Sequence, residues 1–132
     1  MSGKRYLLDT NAIILLLRGS KELSKLLTSA EWVGISVVSK LEFLSFRDIS
    51  QSDKNLFSNF LEKINVLGLH SHDQLLLDLI VRIRTEKSLK LPDAIIAATA
   101  INNQATLVSN DKSFSGVTSL NIISNSDDLI VN

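Results

Sequence analysis

At 132 residues, 45% of them hydrophobic, the chain is long enough for one substantial core and too apolar to be disordered. Lys plus Arg and Asp plus Glu balance at 14 each, so no global charge draws it to nucleic acid or a membrane; such a partner would have to be held by a local surface or through a bound metal. Cysteine is absent, which excludes disulfides and thiolate metal sites and leaves nothing pointing to an oxidising compartment.

The amino terminus places Lys4-Arg5 before an apolar run, superficially like a signal peptide. Asp9 and Asn11 break that run, and residues 12–17 are too few for an h-region or a membrane span. The expectation is a cytoplasmic protein without membrane contact. With no repeat, low-complexity tract or linker, residues 1–132 read as a single domain.

Residues 5–8 predict a first strand and residues 12–18 a first helix, separated by Asp9-Thr10-Asn11. Gly19-Ser20 ends that helix. Residues 21–30 form a second, with Leu23, Leu26 and Leu27 on one face. Residues 32–37, rich in β-branched side chains, are strand two. Ser39 is then expected to cap a helix carrying Leu41, Phe43 and Leu44, with Glu42 at the capping-box position. Residues 51–62 give a helix whose apolar side is Leu56, Phe57, Phe60 and Leu61, and residues 64–69 give strand three. A long helix over 71–87 turns Leu75, Leu76, Leu79, Ile80 and Ile83 inward. Leu91-Pro92-Asp93 opens the next, where proline is tolerated in the first turn. That helix is apolar all round over 94–101 and should be buried. Residues 106–109 are strand four, 110–116 a turn and 120–123 strand five. Strands alternating with helices imply an α/β domain built on a mainly parallel sheet. Ligands of such sheets bind beyond the carboxyl ends of the strands, at the switch in strand order.

Four carboxylates fall at that edge. Asp9 and Asp111 leave strands one and four, Glu42 lies in the helix after strand two, and Asp93 begins the buried helix before strand four. Glu42 has Val38 and Phe46 at i−4 and i+4, so it points to an apolar face, and none of the four has an obvious basic neighbour on the same face. Each acid alone has a structural explanation: Asp9 as a helix cap, Asp111 as a turn residue, Asp93 as a first-turn acid, Glu42 as a capping-box partner. Four together are poorly explained as four independent caps. Like charges in one partly buried pocket must take up protons or bind a cation, and oxygen-only ligands select Mg²⁺ or Mn²⁺. One such cation activates water, and a two-metal site also stabilises a phosphodiester leaving oxygen, so metal-dependent phosphodiester hydrolysis, with one metal or two, is the chemistry expected. Thr10 and Asn11 after Asp9, and Ser109 and Asn110 before Asp111, are supporting polar residues. Asp78 is expected to pair with Arg82 at i,i+4 on a solvated face. His70 and His72 read as loop residues, and Asp127-Asp128 as a possible terminal cap without chemistry.

The segments LLDTNAII at 7–14, SKLEF at 39–43, LPDAIIAATA at 91–100 and SNDKSF at 109–114 resemble, in that order, the motifs of the PIN-domain family, with VapC-type toxins of prokaryotic toxin–antitoxin pairs as the nearest likeness. The resemblance implies a three-layer α/β/α domain with a five-stranded sheet and Mg²⁺- or Mn²⁺-dependent RNA cleavage. It maps the family's acidic cluster onto Asp9, Glu42, Asp93 and Asp111 as catalytic and metal-binding residues. It also implies an RNA substrate, a homodimer and a cognate antitoxin protein. Many relatives carry a further acid where this chain has Ser113.

Two other strand-one aspartate chemistries fit worse. A haloacid-dehalogenase-type phosphatase needs a second acid two residues after Asp9, where Asn11 stands, and a receiver domain needs an aspartate ending strand three, which 66–69 lack. The non-enzymatic alternative is a PIN-like domain that binds RNA or protein without cutting. Arg18, Lys40, Arg47 and Lys112 flank the acidic motifs as possible phosphate contacts outside the site proper.

Overall fold

Leu7 faces one side of strand β1 (Lys4–Leu8), and Tyr6 and Leu8 face the other, all three buried. A strand buried on both faces belongs at the centre of a covered sheet, and the computed structural model, which describes residues 3–124, places it there. β1 pairs in parallel with β2 (Ala30–Ser36) on one side and β4 (Thr106–Val108) on the other. β3 (Asn65–Leu67) and β5 (Ile122–Ile123) complete the all-parallel order β3-β2-β1-β4-β5. The chain builds outward to β3, then crosses back to β4 and β5. The switch point therefore lies between β1 and β4.

Helices cover both faces, giving the expected three layers. α1 (Thr10–Leu17), α2 (Lys21–Thr28) and α4 (Gln51–Leu61) pack with Tyr6, Leu8, Ile35 and Val108 through Ile13, Leu23 and Phe57. α5 (Gln74–Lys87) and α6 (Leu91–Asn102) cover Leu7 and Leu107 through Ile80, Ile83 and the run Ala94–Ala98. The alanines of α6 let its backbone approach the sheet closely. α3 (Val37–Leu44) contributes Val38 to one layer and Phe43 to the other. No helix of the described residues is long and apolar enough to cross a membrane.

Several element ends differ from the sequence expectation. α3 begins directly at the end of β2 and is capped by Ser36, whose hydroxyl accepts the Val38 N–H at 3.1 Å. Ser39 is not the cap, and Glu42 completes no capping box; the box belongs instead to Ser50 and Asp53 of α4. α5 starts at Gln74 because Asp73 caps it. On α5 the buried stripe is Leu76, Ile80 and Ile83, while Leu75 lies about 100° round the helix and is 83% exposed. Leu56 of α4 is likewise exposed. Asp78 accepts a hydrogen bond from Gln74 at 2.7 Å rather than pairing with Arg82, and Arg5–Glu31 is the one ion pair among the described residues. Asp127 and Asp128 lie outside the described residues.

Ser39 sits inside α3 with its hydroxyl fully buried and, among the described residues, without a hydrogen-bond partner. A buried donor left unmade is costly, so Ser39→Ala is expected to raise the unfolding free energy by about 1 kcal/mol. Urea unfolding of the two proteins measures this; a loss of stability would mean that the hydroxyl has a partner.

Candidate active site

The ladder between β1 and β4 runs one residue past β1, where the Asp9 N–H donates to the carbonyl of Val108, the last residue of β4, at 3.2 Å. This leaves the Asp9 side chain at the switch point, 5% exposed. Its Oδ1 accepts the Ala12 N–H at 2.8 Å and so caps α1. The Ser109 hydroxyl also donates to this carboxylate, and Ser109 Oγ accepts the Asp111 N–H at 3.0 Å. One buried serine thus ties the ends of both central strands together.

Glu42 projects from α3 and is half-buried. The Thr10 hydroxyl donates to its Oε1 at 2.5 Å, which links α3 to the first turn of α1. Asp93 lies in the first turn of α6, half-buried. Asp111 is exposed and caps a short 3-10 turn over Lys112–Phe114, with Oδ1 accepting the Ser113 N–H at 2.9 Å. The cap and turn roles foreseen for Asp9 and Asp111 are therefore real, and both residues face the pocket as well.

All four acids line a single pocket of about 410 Å³, together with Thr10 and Asn11. Phe46, Ile96 and Phe114 form its apolar walls, and Ser45 completes it. Phe46 is the i+4 neighbour that the sequence placed on the apolar side of Glu42, whereas nothing in the sequence marked Phe114 as a wall. Asn110 does not line the pocket; its Oδ1 accepts a hydrogen bond from Ser124 beyond β5. His70 and His72 lie elsewhere, their rings 5.6 Å apart.

Burial pushes the Asp9 carboxyl above its ordinary range, and the nearby charges of Asp111 and Asp93 add to this. The Ser109 hydroxyl and the Ala12 N–H act in the opposite sense. Asp93 is also pushed up, first by burial, then by the charges of Asp111 and Glu42. Lys90 partly offsets this, so Asp93 does have a basic neighbour, one turn before it in the chain. Among the described residues, no basic side chain lines the pocket itself.

The donors match an oxygen-preferring dication in kind: four carboxylates and, among the described residues lining the pocket, no histidine, cysteine or methionine. Their positions are less complete. Among the described residues, no three His, Cys, Asp or Glu side chains already converge on one ion position. Asp9 and Asp111 each spend one oxygen on a backbone N–H, and Glu42 spends one on Thr10.

The PIN domain family model matches residues 6–120 of the chain. Among solved structures, a toxin–antitoxin complex from Klebsiella pneumoniae is similar at 27% identity, over 89% of this chain and 95% of that one, with a TM-score of 0.73. VapBC2 from Rickettsia felis, bound to a DNA fragment from its promoter, is similar at 20% identity over 91% and 98%, with a TM-score of 0.77. DNA-bound VapBC from Salmonella typhimurium gives 19% identity over 92% and 98%, and a TM-score of 0.72. No match is found among the curated proteins.

Proposed function

Since the chain belongs to the PIN domain family, we propose that it is a metal-dependent endoribonuclease and the toxin of a toxin–antitoxin pair. The observation that carries this reading is the meeting of Asp9, Glu42, Asp93 and Asp111 in one pocket that, among the described residues, no basic side chain lines. These four residues would hold Mg²⁺ or Mn²⁺. A bound dication there supplies Lewis acidity toward water and toward the scissile phosphate.

The chain's own residues prepare that chemistry. Ala12 N–H and the Ser109 hydroxyl fix the orientation of Asp9, and Thr10 fixes that of Glu42. Mutual repulsion raises the free energy of the four charges together, which favours uptake of a cation over the empty pocket. Phe46, Ile96 and Phe114 supply the apolar part of the pocket wall. An antitoxin partner and a homodimer are part of the same reading; likeness to the Klebsiella pneumoniae toxin–antitoxin complex supports the former.

The second reading is a domain that binds RNA or protein without cutting, and the spread of the carboxylates favours it. A ribonuclease assay separates the two. With Mg²⁺ or Mn²⁺ the intact chain is expected to cut structured RNAs, and chelator, Asp9→Asn or Asp93→Asn to stop it. Cleavage no better than that of the variants would leave the binding reading. Thr10→Val, which keeps shape but loses the donor to Glu42, is expected to lower kcat by roughly 10- to 100-fold, as loss of an orienting neighbour of a metal ligand does. A melting temperature within a degree or so of the parent would separate this from misfolding.

A further inference from the structure

Beside the acidic pocket lies a second cavity of about 450 Å³, and Phe46 is a wall of both. Ile14 and Leu17 of α1 and Phe43 of α3 give it an apolar lining, and Arg18 and Arg47 enter it from separate elements. Arg18 closes the carboxyl end of α1, and Arg47 lies in the turn after α3. Both are exposed, and among the described residues neither makes an ion pair. Asp48 and Asp53 also line the cavity, but Asp53 already accepts the Ser50 N–H at the start of α4. Phe46 is 42% exposed, and its ring rests against Phe43 at 5.9 Å, so it offers a supported aromatic face.

A polyanion approaching four carboxylates is repelled unless cations border the path. Here two arginines share one groove with an exposed aromatic ring at the edge of the acidic pocket. Lys40 and Lys112 line neither cavity. We infer that single-stranded RNA entering the acidic pocket lies across this groove, with Arg18 and Arg47 on its phosphates and one base stacked on Phe46. This rests on the ribonuclease reading above and adds the path of the substrate. Arginine suits phosphate through its two-pronged donor geometry, and aromatic stacking accepts any base.

Binding of a short fluorescein-labelled single-stranded RNA in Mg²⁺, followed by anisotropy across a salt series, tests this. The Asp93→Asn protein serves as background so that the RNA stays intact. Arg18→Ala with Arg47→Ala is expected to weaken binding at least ~10-fold and to flatten the slope of log K against log salt by about 1.4, or 0.7 per phosphate released. Arg18→Lys with Arg47→Lys should keep the slope and report that the fold is intact. Phe46→Ala should weaken binding roughly 5- to 100-fold with the slope unchanged. Unaltered affinity and slope in the alanine pair overturn the inference. If light scattering then shows that pair losing a dimer, the groove seats a second copy instead. The two readings fail separately: RNA cut by the otherwise intact chain with KM unmoved by the alanine pair removes the groove alone. An intact chain that neither binds nor cuts RNA removes both.

Discussion

Replacing Asp93 with Asn is expected to reduce metal-dependent RNA cleavage by roughly 10²- to 10³-fold, the scale on which one electrostatic group is lost from a reacting centre. The same substitution should leave the chelated protein as stable as the parent, or more stable by a few degrees. In the folded chain, burial and the charges of Asp111 and Glu42 lift the Asp93 carboxyl above its ordinary value of 3.8. The folded state then holds that proton more tightly than the unfolded chain does, so stability falls as pH rises from about 3.8 through the lifted value. Above both values the charge is a full penalty, and Asn removes it. Asp9 is shifted in the same direction, so the parent in chelator should lose stability across this acid window more steeply than the variant. Melting curves from pH 4 to 8 in chelator are the measurement. A drop of several degrees at neutral pH in Asp93→Asn would mean that its first-turn role on α6 outweighs the repulsion. Added Mg²⁺ should narrow the gap at pH 8 by neutralising the parent's pocket.

Phe57→Ala is expected to lower the unfolding free energy by roughly 3–5 kcal/mol, since a fully buried aromatic leaves both lost transfer energy and a cavity. Phe57 is completely enclosed and stacks on Phe43 with ring centroids 4.2 Å apart. Phe60 lies beside it on α4, and the Phe57–Phe43 stack is an aromatic contact between α4 and α3. In a domain of this size the loss corresponds to a fall in melting temperature of about 10–20 °C. Urea denaturation should show a lower midpoint with an unchanged slope. A loss below about 1 kcal/mol would mean that α4 closes over the gap without strain. Because Phe43 is one residue from Glu42, the surviving fold of this variant should also show weaker activity than its folded fraction accounts for.

The sheet and the acidic pocket were legible because their signals are local and strong. Two apolar runs broken by Asp9-Thr10-Asn11 admit little besides strand, turn and helix, and the small-residue run of α6 is too apolar to be exposed. Helix starts were less legible where two caps compete. Ser36 and Ser39 are both serines, but only Ser39 has an acid three residues on, and Val37-Val38 read as strand by intrinsic preference. What decides is tertiary: β2 ends its pairing with β3 at Ser36, and the backbone turns there. Leu75 shows the same limit. Its apolar character says inside, while the stripe set by Leu76, Ile80 and Ile83 turns it out. The pocket wall Phe114 and the split of duties between Ser109 and Asn110 depend on side-chain directions in turns, which no period encodes.

The hydrogen bond from Asp9 to Val108 joins residues near opposite ends of the chain. Asp93, Ser109 and Asp111 lie as far along. A nascent polypeptide therefore carries Asp9 and Glu42 through most of its synthesis with no pocket to place them in. Closing a loop of that length comes late and is slow relative to local helix formation. Whatever chemistry the four acids perform, the ribosome finishes nearly the whole domain before any of it begins.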